Sequence, residues 1–132
     1  MLRPAAVALL LVLAVACGSS AKGQDRTIVV GGDRVTVARL VDAHAGLCDA
    51  AADPANARRI FFDRSHEALH TVARALDDVD RAQEAQLLEA KEKVESTLDP
   101  PGPHLTDDLR RLADIYRASL GRLAITAPPC AK

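Results

Sequence analysis

Aromatic residues are nearly absent from this 132-residue chain, which has no Trp, one Tyr and two Phe. Aromatic rings carry the largest apolar payloads, so a core built from Leu, Val, Ile and Ala is modest and needs further support. An excess of one charge sign is missing too. The 17 basic and 18 acidic residues leave a net charge of −1, and without a clustered basic footprint nucleic acid is not expected as a partner. The chain also lacks a Gly-x-Ser-x-Gly elbow, a His-Glu-x-x-His pair and a Gly-rich phosphate loop. Ser65 precedes His66, but neighbours on a helix point about 100° apart. An enzyme is not expected. Two absences bear on organisation: no apolar run after residue 16 approaches the roughly 20 residues a spanning helix needs, and neither Gly nor Pro occurs between Pro54 and Pro100.

What is present begins with a leader. Met1-Leu2-Arg3-Pro4 carries one positive charge, Ala5 to Ala16 is an uninterrupted apolar run, and small residues lead into Cys17. That is the order of an export signal. Leu13-Ala14-Val15-Ala16-Cys17-Gly18-Ser19-Ser20 resembles the lipobox of bacterial lipoproteins. The resemblance implies cleavage before Cys17, a diacylglyceryl group with palmitate-type acyl chains on its thiol, and a mature chain anchored to the outer face of the bacterial cell membrane; a plainly secreted protein is the alternative. One acyl chain binds a membrane marginally, whereas two or three hold it. The expected division is a signal peptide at residues 1–16, a small polar tether at 17–26 and a single domain at 27–132.

With Cys17 acylated, Cys48 and Cys130 remain, an even pair in an oxidising compartment, and a disulfide between them is expected. Losing the leader removes Arg3 and leaves 16 basic against 18 acidic residues, or −2. The β-branched runs Thr27-Ile28-Val29-Val30 and Arg34-Val35-Thr36-Val37, parted by Gly31-Gly32-Asp33, read as a hairpin. A lone hairpin is marginal, so it either leans on helices or does not form.

From about Thr36 to Ala52 the apolar spacing is helical, with Val37, Leu40, Val41, His44, Leu47, Cys48 and Ala51 on one face. Asp53-Pro54 reads as an N-cap and first position of a second helix. An unbroken helix over residues 54–98 would run about 67 Å, too long for a domain whose radius of gyration is about 13 Å. It must break. Asp77-Asp78-Val79-Asp80 is the favoured place, because Asp80-Arg81-Ala82-Gln83 has capping-box spacing. Leu87, Ala90, Val94 and Leu98 stripe the third helix, Asp99-Pro100-Pro101-Gly102-Pro103 ends it, and a fourth starts at Thr106-Asp107-Asp108 with Leu109, Leu112, Tyr116, Leu120 and Leu123 inward. The expected fold is all-α: an antiparallel bundle of about four helices after the hairpin, signal peptide and tether.

One stretch carries chemistry. On the second helix Phe61, Phe62, Ser65, Leu69, Val72 and Leu76 share a core face, and Asp63, His66 and His70 line its flank. Positions three and four apart point the same way, so a carboxylate and two imidazoles are spaced to hold a divalent Fe, Zn or Cu ion. Counting back from the break sets His66 and Asp63 level with Glu92 and Glu95, and Glu95, nearer the core edge, is the preferred fourth ligand. His44 reads first as a satisfied core histidine and second as a contributor. His104 reads as exposed and idle, and Glu89 with Lys93 has the order of a surface ion pair.

Phe61-Phe62-Asp63-Arg64-Ser65-His66 with Leu69-His70, followed by Asp80-Arg81 and Leu87-Leu88-Glu89-Ala90-Lys91-Glu92-Lys93-Val94-Glu95, resembles helical extracytoplasmic segments found beside bacterial high-affinity iron permeases. The resemblance covers about the middle third of the chain and implies iron or another divalent metal as cargo, with His66 and His70 the matching positions. The function expected is metal presentation to, or buffering for, an envelope transporter. The competing expectation is a structural or protein-interaction lipoprotein whose His residues are surface polar groups. A Cys17→Ser precursor is expected to lose membrane association. Unchanged partition into the detergent phase would refute acylation.

Overall fold

A computed structural model describes residues 23–132 of the chain. The leader expected at 1–16, the expected acylation site Cys17 and the first part of the expected tether, through residue 22, lie outside the described residues. The described residues open into an antiparallel hairpin of β1 (Thr27–Val30) and β2 (Asp33–Thr36), in register from Thr27 opposite Thr36 to Val30 opposite Asp33. Its two-residue turn is Gly31-Gly32, with φ of 57° and 90°. Two successive positive φ values suit glycine and match the twist of the strands. Arg26 holds the hairpin's base, its carbonyl accepting from the Val37 amide at 2.8 Å and its guanidinium donating to the Ala124 carbonyl at 2.9 Å.

Thr36 ends the hairpin and starts helix α1 (Val37–Ala52), its hydroxyl accepting from the Arg39 amide at 3.3 Å. After the turn at residues 53–56, Ala57–Ile60 runs through a π-helical turn at Phe61–Ser65 into His66–Leu76, one continuous helix, α2. It begins three residues later than Asp53-Pro54 suggests. Asn56 Nδ2 donates to Asp53 Oδ2 at 2.9 Å, so the Asp53 carboxylate closes a turn instead of capping the helix. Asp80 does cap α3 (Arg81–Glu95), its Oδ1 accepting from the Gln83 amide at 3.0 Å. The proline segment turns the chain into α4 (Leu105–Arg122), and residues 123–132 return as a coil across the bundle.

The four helices form an antiparallel bundle with α4 between α1 and α3 and with α2 against α1 and α3. Leu109, Leu112, Tyr116 and Leu120 of α4 are fully buried against Leu40 and Leu47 of α1, Leu69 and Leu76 of α2, and Leu87 and Val94 of α3. Tyr116 reaches across the core to donate to the Leu40 carbonyl at 3.0 Å, which satisfies its hydroxyl. Cys48 at the end of α1 and Cys130 in the tail are disulfide-bonded, with Cα atoms 5.3 Å apart. Closing a loop of that size, 82 residues in sequence separation, contributes about 4.5 kcal/mol in the chain-entropy description. No helix among the described residues is long and apolar enough to cross a membrane.

The contact of α1 with the π turn is tight at Gly46. Arg64 pairs with Asp42, Nη2 to Oδ1 at 2.8 Å, and with Asp49, both on α1. The Ser65 hydroxyl donates to the Ala43 carbonyl at 2.8 Å. Gly46 makes this approach possible, because a Cβ there would lie 2.6 Å from Ser65 Oγ and 2.9 Å from Arg64 Cβ. Ala is the better helix former, by about 1 kcal/mol. Gly46→Ala is nevertheless expected to lower the unfolding free energy by about 1–3 kcal/mol through overpacking; equal or higher stability in urea denaturation would show that the two helices can separate freely.

Candidate functional site

The π turn decides which side chains α2 presents. Its wider spiral advances each residue by less than the α-helical ~100°, so the faces are re-indexed between Phe61 and His66. Phe61 stays in the core, but Phe62, expected beside it, is 44% exposed, with Arg58 Cζ 5.5 Å from its ring centroid. Asp63 is displaced in the same way. Three residues no longer bring it under His66; its side chain is 62% exposed and pairs with Arg59 at 3.7 Å, one turn back. Asp63 does not join the imidazoles.

Beyond the π turn the ordinary spacing resumes, and His66 and His70 meet at 4.8 Å between ring centroids, edge to face. Phe62 covers the His66 ring at 5.0 Å. From α3, Glu95 Oε1 lies 3.0 Å from His66 Nε2, and the same oxygen accepts from Lys91 Nζ at 2.8 Å. Lys91 is only 6% exposed. Its ammonium, which the sequence reading did not single out, neutralises Glu95 from the buried side while His66 approaches from the open side. Two imidazoles, one carboxylate and one ammonium therefore share a patch between α2 and α3. The ion pair within α3 is Lys91–Glu95; Glu89 and Lys93 are exposed and do not pair.

His66 and His70 also line an open groove of about 650 Å³ towards the hairpin, with Asp33, Arg34, Arg39 and Arg74. Arg39 is tied to Glu67 at 2.8 Å. The surroundings of His70 hold its pKa below the ordinary 6.5: partial desolvation first, then Lys91 and His66, with Glu95 pulling the other way and Arg74 adding to the depression. At neutral pH His70 is an uncharged imidazole with a lone pair free for a proton or a cation.

A second cluster lies on the other side of the bundle. His44 of α1 is 2% exposed, stacked on Tyr116 with ring centroids 6.4 Å apart, and its Nδ1 is 3.8 Å from Cys48 Sγ. Its Nε2 has no hydrogen-bond partner, so this core histidine is not the satisfied one expected. Burial is the main cause lowering its pKa, helped by the Arg117 charge, while Asp114 and the Ala113 carbonyl oppose. Among the described residues, the three His, Cys, Asp or Glu groups whose ligand atoms all lie within 4.8 Å of one another are His44, Cys48 and Cys130. The i, i+4 spacing of His44 and Cys48 was the sequence signal for two of its three members; the third arrives only with the folded tail. Neither a family model, a curated protein nor a solved structure matches the chain.

Both lowered imidazoles bind a proton less readily folded than unfolded. Stability is therefore full above 6.5, the ordinary value, and falls as pH drops from there towards the folded values, where the unfolded chain holds more protons. Imidazole NMR titration is expected to give inflections below 6.5 for His44 and His70, with urea midpoints declining over the same interval. Inflections at or above that value would contradict the environments described.

Proposed function

We propose that this chain is an exported lipoprotein, held at the outer face of the bacterial cell membrane by acylated Cys17, whose helical domain binds a divalent transition metal at His66 and His70 with Glu95. The observation that carries the reading is the edge-to-face pair His66 and His70 with Glu95 on His66, beside an open groove; the ligand atoms of the three are not all within 4.8 Å of one another, so binding must draw them together. Fe, Zn and Cu all accept imidazole and carboxylate ligands. The metal is cargo, presented to or buffered for an envelope transporter. That role rests on the similarity of the α2 and α3 sequences to segments that accompany iron permeases. No catalytic role is proposed.

Binding exchanges one cation for another. Lys91 Nζ already sits on Glu95 Oε1, so a metal ion drawn to His66 and His70 recruits Glu95 by displacing the ammonium, and Lys91 re-pairs when the metal leaves. This favours reversible capture over permanent storage. The same contact favours a second reading, in which Lys91–Glu95–His66 is a structural ion network and the domain is a protein-interaction or structural lipoprotein.

Calorimetric titration of the mature chain with Fe²⁺, Zn²⁺, Cu²⁺ and Mn²⁺ separates the two. Stoichiometric binding is expected in the wild type, loss of binding in the His66→Ala/His70→Ala double variant, and tighter binding in Lys91→Met, which frees Glu95. Equal weak heats from the wild type and the double variant would leave the interaction module as the surviving reading.

A further inference from the structure

The disulfide explains why Cys48 and Cys130 meet, but not why an imidazole is buried against them. A nonpolar residue would fill the place of His44 without leaving Nε2 unpartnered. With the sulfurs separated, the same three side chains make a different object. We propose that His44, Cys48 and Cys130 form a redox-gated site for a thiophilic cation, Zn²⁺ or Cu⁺, which opens when a dithiol reductant cleaves the disulfide.

The geometry supports this with little rearrangement. His44 and Cys48 are one turn apart on α1 and point the same way. In a tetrahedral zinc site with bonds of about 2.3 Å to sulfur and about 2.0 Å to nitrogen, a nitrogen and a sulfur ligand lie roughly 3.5 Å apart and two sulfurs roughly 3.8 Å apart. Nδ1 and Cys48 Sγ are already 3.8 Å apart. Only Cys130 must withdraw, by about 2 Å on the same geometry. It lies in the coil past the anchored Ala127, which is buried and whose carbonyl accepts from Arg117 Nε at 2.9 Å, whereas Pro128 and Pro129 are exposed. The bundle itself need not move.

Nε2, which has no hydrogen-bond partner in the disulfide-bonded protein, is left for an outer hydrogen bond once Nδ1 ligates. The Asp114 charge favours a proton on the ring. Burial keeps the ring uncharged at neutral pH, as a ligand must be. Cys130 is half-buried and its neighbours are exposed, so water could supply a fourth ligand.

The steps balance. The dithiol passes two electrons to the disulfide, the Cys48–Cys130 bond breaks, each sulfur takes up a proton, and the reductant closes its own disulfide. The cation then displaces both thiol protons and takes the Nδ1 lone pair. Reoxidation by a disulfide oxidant reverses the sequence and expels the metal. This site is independent of His66 and His70.

The test uses the mature chain carrying Cys17→Ser, so that no third thiol competes, reduced anaerobically with a phosphine and titrated with Co²⁺ as a spectroscopic stand-in for Zn²⁺. A thiolate-to-cobalt charge-transfer band with tetrahedral d–d absorption is expected in the reduced protein, bleached by one equivalent of Zn²⁺ and absent from the oxidised protein. His44→Gln is expected to weaken binding more than about tenfold and Cys130→Ser to weaken the charge-transfer band, while His66→Ala/His70→Ala leaves both unchanged. Far-UV dichroism, followed in parallel, reports folding. The proposal is overturned by a reduced, helical protein without the band, by undiminished affinity in His44→Gln, or by a reduced chain that unfolds and that neither Co²⁺ nor Zn²⁺ refolds.

Discussion

The buried face of α4 is what the other elements depend on. Leu109, Leu112, Tyr116 and Leu120 are the surface on which α1 and α3 pack, and with no Trp and only two Phe in the chain no other stripe is large enough to replace it. Aliphatic packing is less directional than a cluster of rings, so polar devices set the register of the helices. Tyr116 fixes α4 to the Leu40 carbonyl, Arg64 ties α2 to Asp42 and Asp49, and Gln83 Nε2 reaches Ser119 Oγ at 3.0 Å between α3 and α4. The Cys48–Cys130 bond then closes the path of the chain around the core.

Within that frame, α2 is the element that departs from regularity. The π turn at Phe61–Ser65 sits where the helix packs closely onto α1 at Gly46, and it changes the angular position of everything after it. One residue of extra winding separates Asp63 from His66 and turns Phe62 outward over the His66 ring. The cost of a wider helical turn is offset by what it positions: Ser65 against the Ala43 carbonyl on one side, and the two imidazoles towards α3 on the other. π turns of this kind recur at functional sites for the same geometric reason.

The two histidine clusters answer to different chemistry. His66 and His70 look out on a groove with a carboxylate already engaged by Lys91, an arrangement suited to exchange with solvent. His44 is enclosed and faces sulfur. Borderline cations such as Fe²⁺ suit the first set of donors, and thiophilic ones the second. A charge balance of −1 over the whole chain gives neither proposed site a long-range field to draw on, so in the proposed reading selectivity comes from the ligands themselves.

Local patterns determined much of this protein. The 3.6-residue spacing of Leu, Val and Ala marked four helices, Gly31-Gly32 marked the hairpin turn, Asp80 marked the start of α3, and two cysteines left after Cys17 marked the disulfide. Each is legible because propensity, capping and periodicity act over a few residues. Counting about the short turn set His66 level with Glu92 and Asp63 level with Glu95, whereas it is Glu95 that meets His66. What the tertiary structure alone decided is less local. The π turn arises where Gly46 lets two helices approach closely, and no periodicity in α2 announces it, so Asp63 and Phe62 looked like neighbours of the wrong groups. Lys91 read as one more charge on a solvated face until packing buried it against Glu95. The place of Cys130 beside His44 depends on a tail that has no periodicity of its own and is positioned by what it lies against. Such contacts join residues far apart in sequence, and their energies exist only once the helices have met.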